Sequence, residues 1–123
     1  MKSNLASMFI KLNHQSLDVH KGVSELIKKI YFISIELPGE EKFNMVQQRN
    51  RAASSVKLNL SEGASRRYPT GRKRFFEVSR GSLIEVDAIL ETAIDLRYLS
   101  VDLLANIGGL LNKCYAMLSK MMK

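Results

Sequence analysis

A chain of 123 residues with a net charge of +7, 46% apolar and 25% charged residues has the make-up of one soluble globular domain with a genuine core. No apolar run approaches the ~20 residues of a membrane span. The single cysteine, Cys114, excludes an internal disulfide and a multi-cysteine zinc site and suits a reducing cytoplasm, and the lack of Trp leaves little for base stacking along single strands.

Residues 1–16 carry Lys2 and the apolar Leu5, Ala6, Met8, Phe9 and Ile10. Lys11 cuts this run short and no small-residue cleavage site follows, so the segment reads as an N-terminal arm and not as a signal peptide. Residues 17–123 read as one bundle of four helices. In the first, Val19, Val23, Leu26, Ile30, Ile33 and Leu37 step by four and three along one stripe, widened by Ile27 and Tyr31. Pro38-Gly39 stops it, and Glu40 and Glu41 restart the chain at a helix N-terminus.

The second helix places Val46, Ala53, Val56, Leu60 and Ala64 on one face, with Gly63 expected as a left-handed residue near its end. A basic connection, Ser65 to Arg74, follows around Tyr68-Pro69-Thr70-Gly71, and Thr70 is expected to be the N-cap of the third helix. That helix repeats Phe75, Ser79, Ser82, Val86, Ile89, Ala93 and Leu96, flanked by Phe76, Leu83, Leu90 and Ile94. Gly81 inside it implies close approach of a neighbouring helix, across which Ser82 would bond. A break near Tyr98 to Ser100 leads to the fourth helix, with Leu103, Ile107, Leu110, Cys114, Met117 and Met121. Gly108-Gly109 marks either a kink or a close backbone approach. Connections this short make neighbouring helices antiparallel, so the expected fold is all-α, an up-down-up-down four-helix bundle.

Charge is concentrated. Residues 41–80 hold ten Lys/Arg against Glu41, Glu62 and Glu77, whereas residues 1–40 sum to +1 and residues 81–123 to −1. A focused positive field attracts phosphates or acidic partners. Arg66, Arg67, Arg72, Lys73 and Arg74 crowd the connection before the third helix, and Arg49 lies upstream on the second. Such a loop either aids solubility or binds phosphate, for which guanidinium forks and free N–H groups at a helix start are suited. No helix-turn-helix, zinc-finger or RNA-recognition sequence accompanies it, so binding would run through backbone phosphates and be salt-sensitive. Arg51, Ser55, Asn59 and Glu62 project from one side of the second helix, as a solvated flank or as a polar seam between helices or subunits. Glu85, one turn after Gly81, is placed to pair with Arg51. No catalytic constellation emerges: His14 and His20 do not share a helical face, carboxylates do not cluster, the glycines lack phosphate-loop spacing, and Cys114 falls on the apolar stripe. No metal or cofactor is implied.

Several linked segments carry a family resemblance. They are Leu17-Asp18-Val19, Leu37-Pro-Gly-Glu-Glu-Lys-Phe43, Gln48-Arg-Asn-Arg-Ala-Ala-Ser-Ser55, Asn59-Leu-Ser-Glu-Gly63, Arg74-Phe75 and Arg80-Gly-Ser-Leu-Ile-Glu85. Over about residues 17–99 the chain resembles the four-helix-bundle proteins of the 23S rRNA-intervening-sequence family, sometimes labelled S23 ribosomal proteins. The resemblance implies a left-handed up-down bundle and a ring-shaped homo-oligomer, a pentamer. Some relatives are encoded within insertions in large-subunit ribosomal RNA genes. The family is also similar to the accessory variability proteins of diversity-generating retroelements, which are basic, pentameric, and bind nucleic acid and a reverse transcriptase. Its Arg-Ala-Ala and Asn-x-x-Glu-Gly elements fall on Arg51, Ala52, Ala53, Asn59, Glu62 and Gly63, and its Gly-Ser-x-x-Glu on Gly81, Ser82 and Glu85. Where relatives often carry an acid and an aromatic before the third helix, this chain has Gly71 and Arg72, a more basic loop. Neither ribosomal membership nor an activity follows from the fold.

Two functions fit. One is a non-enzymatic oligomeric bundle that binds RNA or DNA through Arg49, Arg66, Arg67, Arg72, Lys73 and Arg74, with Arg51, Asn59, Glu62, Ser82 and Glu85 as a structural polar seam. The other is a homo-oligomeric scaffold whose basic patch meets an acidic protein.

Overall fold

The computed structural model describes residues 18–33 and 42–122, which form four α-helices with no strand among them. The arm at 1–16 and the expectations for Leu37, Pro38-Gly39, Glu40 and Glu41 lie outside the described residues. Helix α1 is Asp18–Phe32, α2 Gln47–Ser65, α3 Pro69–Asp95 and α4 Val101–Met121, with a short π-helical turn, Lys42–Val46, leading into α2. Asp18 in the first turn of α1 and Lys29 in its last complement the helix dipole. The α1 stripe is as the spacing predicts: Val19, Val23, Leu26, Ile30 and Ile33 are all buried.

The most extensive contact is between α2 and α3. Small residues make it close. Ser79 Oγ donates to the Val56 carbonyl at 2.6 Å, and the Ser55 and Ser82 hydroxyls share a hydrogen bond of 2.8 Å. Nearer the connection, Gly63 packs against Phe76 and Phe75. These pairs run in opposite order along the two helices. The same holds where Arg80 of α3 donates to Ser119 of α4 while Asp87 shares a groove with Leu111. Gly22 of α1 lies against Cys114 and Met117 of α4, close enough that a Cβ would sit 3.3 Å from each.

Rotation of α3 and α4 differs from the sequence expectation. In α3 the buried set is Phe76, Ser79, Leu83, Val86, Leu90 and Ala93, while Phe75, Ser82 and Ile89 are half-buried and Leu96 is exposed. Both sets share Ser79, Val86 and Ala93. Rotating the helix by a fraction of a turn buries Leu83 and Leu90 in place of Ser82 and Leu96, which removes more apolar surface from water. In α4, Leu104, Ile107, Leu111, Cys114 and Leu118 are buried, with Leu110, Met117 and Met121 packed at their edge. Apolar residues at 110–111 and 117–118 offer two overlapping stripes, and packing selects the second.

Three local expectations are corrected. Helix α3 begins at Pro69, with Tyr68 at the N-cap and no side-chain cap, so Thr70 lies inside the first turn. Proline has the φ of a first helical residue and no N–H to leave unpaired, and it holds the residue before it extended. Gly63 is helical and buried, and no described glycine takes positive φ. Its role is space: a Cβ there would come within 2.7 Å of Phe76 Cε1 and 3.0 Å of Phe75 Cβ. Gly81 is exposed and a Cβ there would meet nothing within 4 Å, so none of the described helices packs on it; a Cβ at Gly108 or Gly109 would likewise meet nothing.

Between α3 and α4 the left-handed residue is not a glycine. Arg97 has φ 62, with its N–H on the Ile94 carbonyl and the Tyr98 N–H on the Ala93 carbonyl, both 2.9 Å. This is a Schellman ending with arginine where glycine is preferred.

Two stability tests follow from the packing. Gly63→Ala should destabilise by about 1–3 kcal/mol, since overpacking against an aromatic ring outweighs the gain in helix propensity. Gly81→Ala should stabilise by about 0.5–1 kcal/mol, because propensity then acts alone. Urea midpoints of the two variants should therefore move in opposite directions. Cys114 is fully buried, and burial pushes its thiol up from 9.0 to about 11, opposed weakly by Lys113. The folded chain holds that proton more tightly than the unfolded one, so this contribution is complete below pH 9 and is lost as pH rises through about 11. The stability difference between the wild type and Cys114→Ala should shrink across that window, as read from urea midpoints at each pH.

Candidate functional site

The connection between α2 and α3 is only three residues long, Arg66 to Tyr68. Arg66 leaves the helix in an extended conformation and its N–H bonds to the Gly63 carbonyl at 3.2 Å. Tyr68 is extended as well, and Pro69 restarts the helix at once. Arg66 and Arg67 are thus held on this short connection, whereas Arg72, Lys73 and Arg74, expected in the connection, are the fourth to sixth residues of α3.

Their charges are not equally free. Arg66 Nη2 binds Glu62 Oε2 at 2.9 Å and its guanidinium lies 4.6 Å from the centre of the Phe75 ring. Arg67, Lys73 and Arg74 are exposed and Arg72 is half-buried. None of these four is in either of the two ion pairs found among the described residues, Lys29–Glu25 and Arg66–Glu62. Arg67 lies 5.9 Å from the ring centre of the exposed Tyr68.

Helix α3 carries its charges against its own dipole. Its first turn has no acid and its last turn no base. Arg72, Lys73 and Arg74 stand beside the positive end, and Glu85, Asp87, Glu91 and Asp95 follow toward the negative end. Charges near a helix end in the unfavourable sense cost about 0.3–1 kcal/mol each. The cationic start therefore opposes stability while it strengthens a local positive field.

The seam residues come together in part. Ser55, Ser82 and Asn59 form a connected set, with Asn59 Nδ2 donating to the Ser55 carbonyl at 2.9 Å and to Ser55 Oγ at 3.0 Å. Glu62 instead turns to Arg66. Arg51 and Glu85 are both exposed and make no ion pair with each other, contrary to the expected cross-helix pair.

Arg49 does not belong to the cationic surface. It is 1% exposed and lies within the α2 core face beside Ala52, Ala53 and Val56. Its Nη2 donates to Asn50 Oδ1 at 3.2 Å, but Nε and Nη1 have no partner among the described residues. Burial pulls its pKa down, and Tyr31 pulls weakly the other way. The spacing contains the signal: Arg49, Ala53, Val56 and Leu60 step by four, three and four, so Arg49 is in phase with the apolar stripe. Among the described residues no three His, Cys, Asp or Glu side chains gather to hold a metal ion, and no helix is long and apolar enough to cross a membrane.

A family model described as 23S rRNA-intervening sequence protein matches residues 15–120. No curated protein matches the chain.

A buried guanidinium with two unmet donors is costly, and an apolar side chain of similar length removes that cost. Arg49→Met should raise the urea midpoint, by about 1–4 kcal/mol in stability, and leave the cationic turn untouched. A lower midpoint would mean that the guanidinium supports the fold.

Proposed function

Since the chain belongs to the 23S rRNA-intervening sequence protein family, we propose that it is a cytoplasmic, non-enzymatic, left-handed up-down-up-down bundle that assembles as a homo-oligomer and binds RNA or DNA through backbone phosphates. The observation that carries this reading is the segment from Arg66 to Arg74, the α2–α3 connection and the start of α3, which holds five cations of which only Arg66 has an acidic partner among the described residues. Three of them follow the first residues of α3, whose first turn holds no acid to offset them. A phosphate there meets guanidinium forks, an ammonium and a helix dipole of one sign. No base-reading element accompanies the cations, so affinity comes from charge and carries little sequence preference.

Exposed apolar side chains favour self-association. Leu58, Ile84 and Val101 are 65%, 52% and 65% exposed, and three helical glycines leave open approaches that none of the described residues uses. A ring would set several weak phosphate sites side by side and raise affinity through multivalency. Light scattering should report a particle of several times 13.9 kDa, five times for the pentamer that the family resemblance implies.

Fluorescence anisotropy with a random-sequence RNA and a duplex DNA, titrated with salt, tests the phosphate reading. Both should bind, with log K falling steeply against log salt. Replacing Arg72, Lys73 and Arg74 together by Glu should flatten the salt slope by about three per chain, since each cation lost removes about one unit. The same replacement should raise the thermal midpoint, because acids suit the start of α3. Unchanged binding by this variant, or no binding of either probe at low salt, would leave the scaffold with an acidic protein partner as the better account.

A further inference from the structure

Tyr68 occupies a position that helices fill for a different purpose. The N-cap of a helix favours Ser, Thr, Asp or Asn, whose side chain accepts a hydrogen bond from the first turn and contributes about 1 kcal/mol. At α3 this position is Tyr68, and no side-chain cap is made. The ring does not repay the lost cap by packing. It is 68% exposed and lies outside the hydrophobic core and the partly buried residues that pack on it. Its ring contact is the Arg67 guanidinium, 5.9 Å from the centroid, at the outer limit of a cation–π interaction. Phe75, the other aromatic at this turn, is by contrast half-buried and covered by Arg66 at 4.6 Å. One aromatic thus serves the fold and the other is presented to solvent.

Its backbone is fixed although its ring is exposed. Pro69 restricts the residue before it to an extended conformation, and Tyr68 has φ −104 and ψ 145. The ring is therefore offered from a short connection of fixed backbone, 5.9 Å from the Arg67 guanidinium and just ahead of the helix that carries Arg72, Lys73 and Arg74.

We infer that Tyr68 is a stacking platform for an unpaired nucleobase, so that the cationic turn takes single-stranded nucleic acid in preference to duplex. The inference rests on the phosphate reading above and adds strandedness to it. A planar ring flanked by cations suits a base bound through its face while its neighbouring phosphates meet the guanidinium groups. Bases in a duplex are already stacked and cannot offer that face. Stacking reads neither base identity nor the sugar 2′-hydroxyl, so RNA and DNA single strands should both bind.

The test compares a 12-nucleotide oligo(U), the matching oligo(dT) and a 12-base-pair DNA duplex, each fluorescein-labelled, on the full chain and its variants. Tyr68→Ala should weaken both single strands by about 5- to 150-fold, the range of one base–aromatic stack. It should leave duplex affinity and the salt slope unchanged. Tyr68→Phe should bind as the wild type does. The chain has no Trp, so Tyr68→Trp introduces a lone indole whose emission should be quenched by oligo(U) and not by the duplex. Equal losses on single strand and duplex, or no loss on either, overturn the inference. If the triple replacement of Arg72, Lys73 and Arg74 by Glu abolishes binding while Tyr68→Ala matches the wild type, the phosphate reading stands and stacking is wrong. If the triple replacement binds like the wild type, both fall.

Discussion

The close approach of α2 and α3 is the constraint on which the rest of the molecule depends. It requires a glycine at position 63, where the Phe76 ring lies closer than any Cβ could tolerate. It requires serine at 79, whose hydroxyl is buried and must bond to the Val56 carbonyl. With the two helices this near, three residues suffice to join them. A longer loop would let the arginines spread and move independently. The short one keeps Arg66 and Arg67 next to the start of α3, which carries Arg72, Lys73 and Arg74, so a demand of packing becomes an arrangement of charge.

Electrostatics at that turn work against the fold. Arg72, Lys73 and Arg74 follow the start of α3, whose first turn has no acid, the N-cap is an uncapped tyrosine, and among the described residues only Arg66 is offset by an acid. Each departs from what helix stability favours, and together they concentrate in fewer than ten residues. Helices α1 and α4 keep the dipole rule, with Asp18 and Lys29 in the first and last turns of α1 and Asp102 and Lys120 in those of α4. Helix α2, like α3, has no acid in its first turn, no base in its last and no side-chain cap.

Much of this was legible in the sequence, because periodicity reports burial directly. The α1 stripe and the four helices follow from spacing, and the run of cations from where charge accumulates, but the expected connection Ser65 to Arg74 is helical from Pro69 onward. Three kinds of feature did not. Rotations of α3 and α4 depend on which of two overlapping apolar stripes fits the neighbours, and only packing decides that. Arg49 is in phase with the α2 core, yet a charge is expected in water, and residue type outweighed position. Glycines were misread in both directions: Gly63 serves closeness and not a left-handed turn, while Gly81, expected to be close-packed, is open. The left-handed residue is Arg97, which nothing in its side chain announces.

The length of α3 has an electrical consequence. It runs for 27 residues, about 40 Å at 1.5 Å per residue, with cations gathered toward one end and carboxylates toward the other. At physiological salt a field fades within about 8 Å, several times less than that rod. The two ends are therefore electrically strangers: a polyanion at the cationic tip does not sense the carboxylates at the far one, and the net charge of +7 describes neither. Only in dilute buffer, where the screening length stretches to about 30 Å, does the chain begin to act on its surroundings as a single dipole.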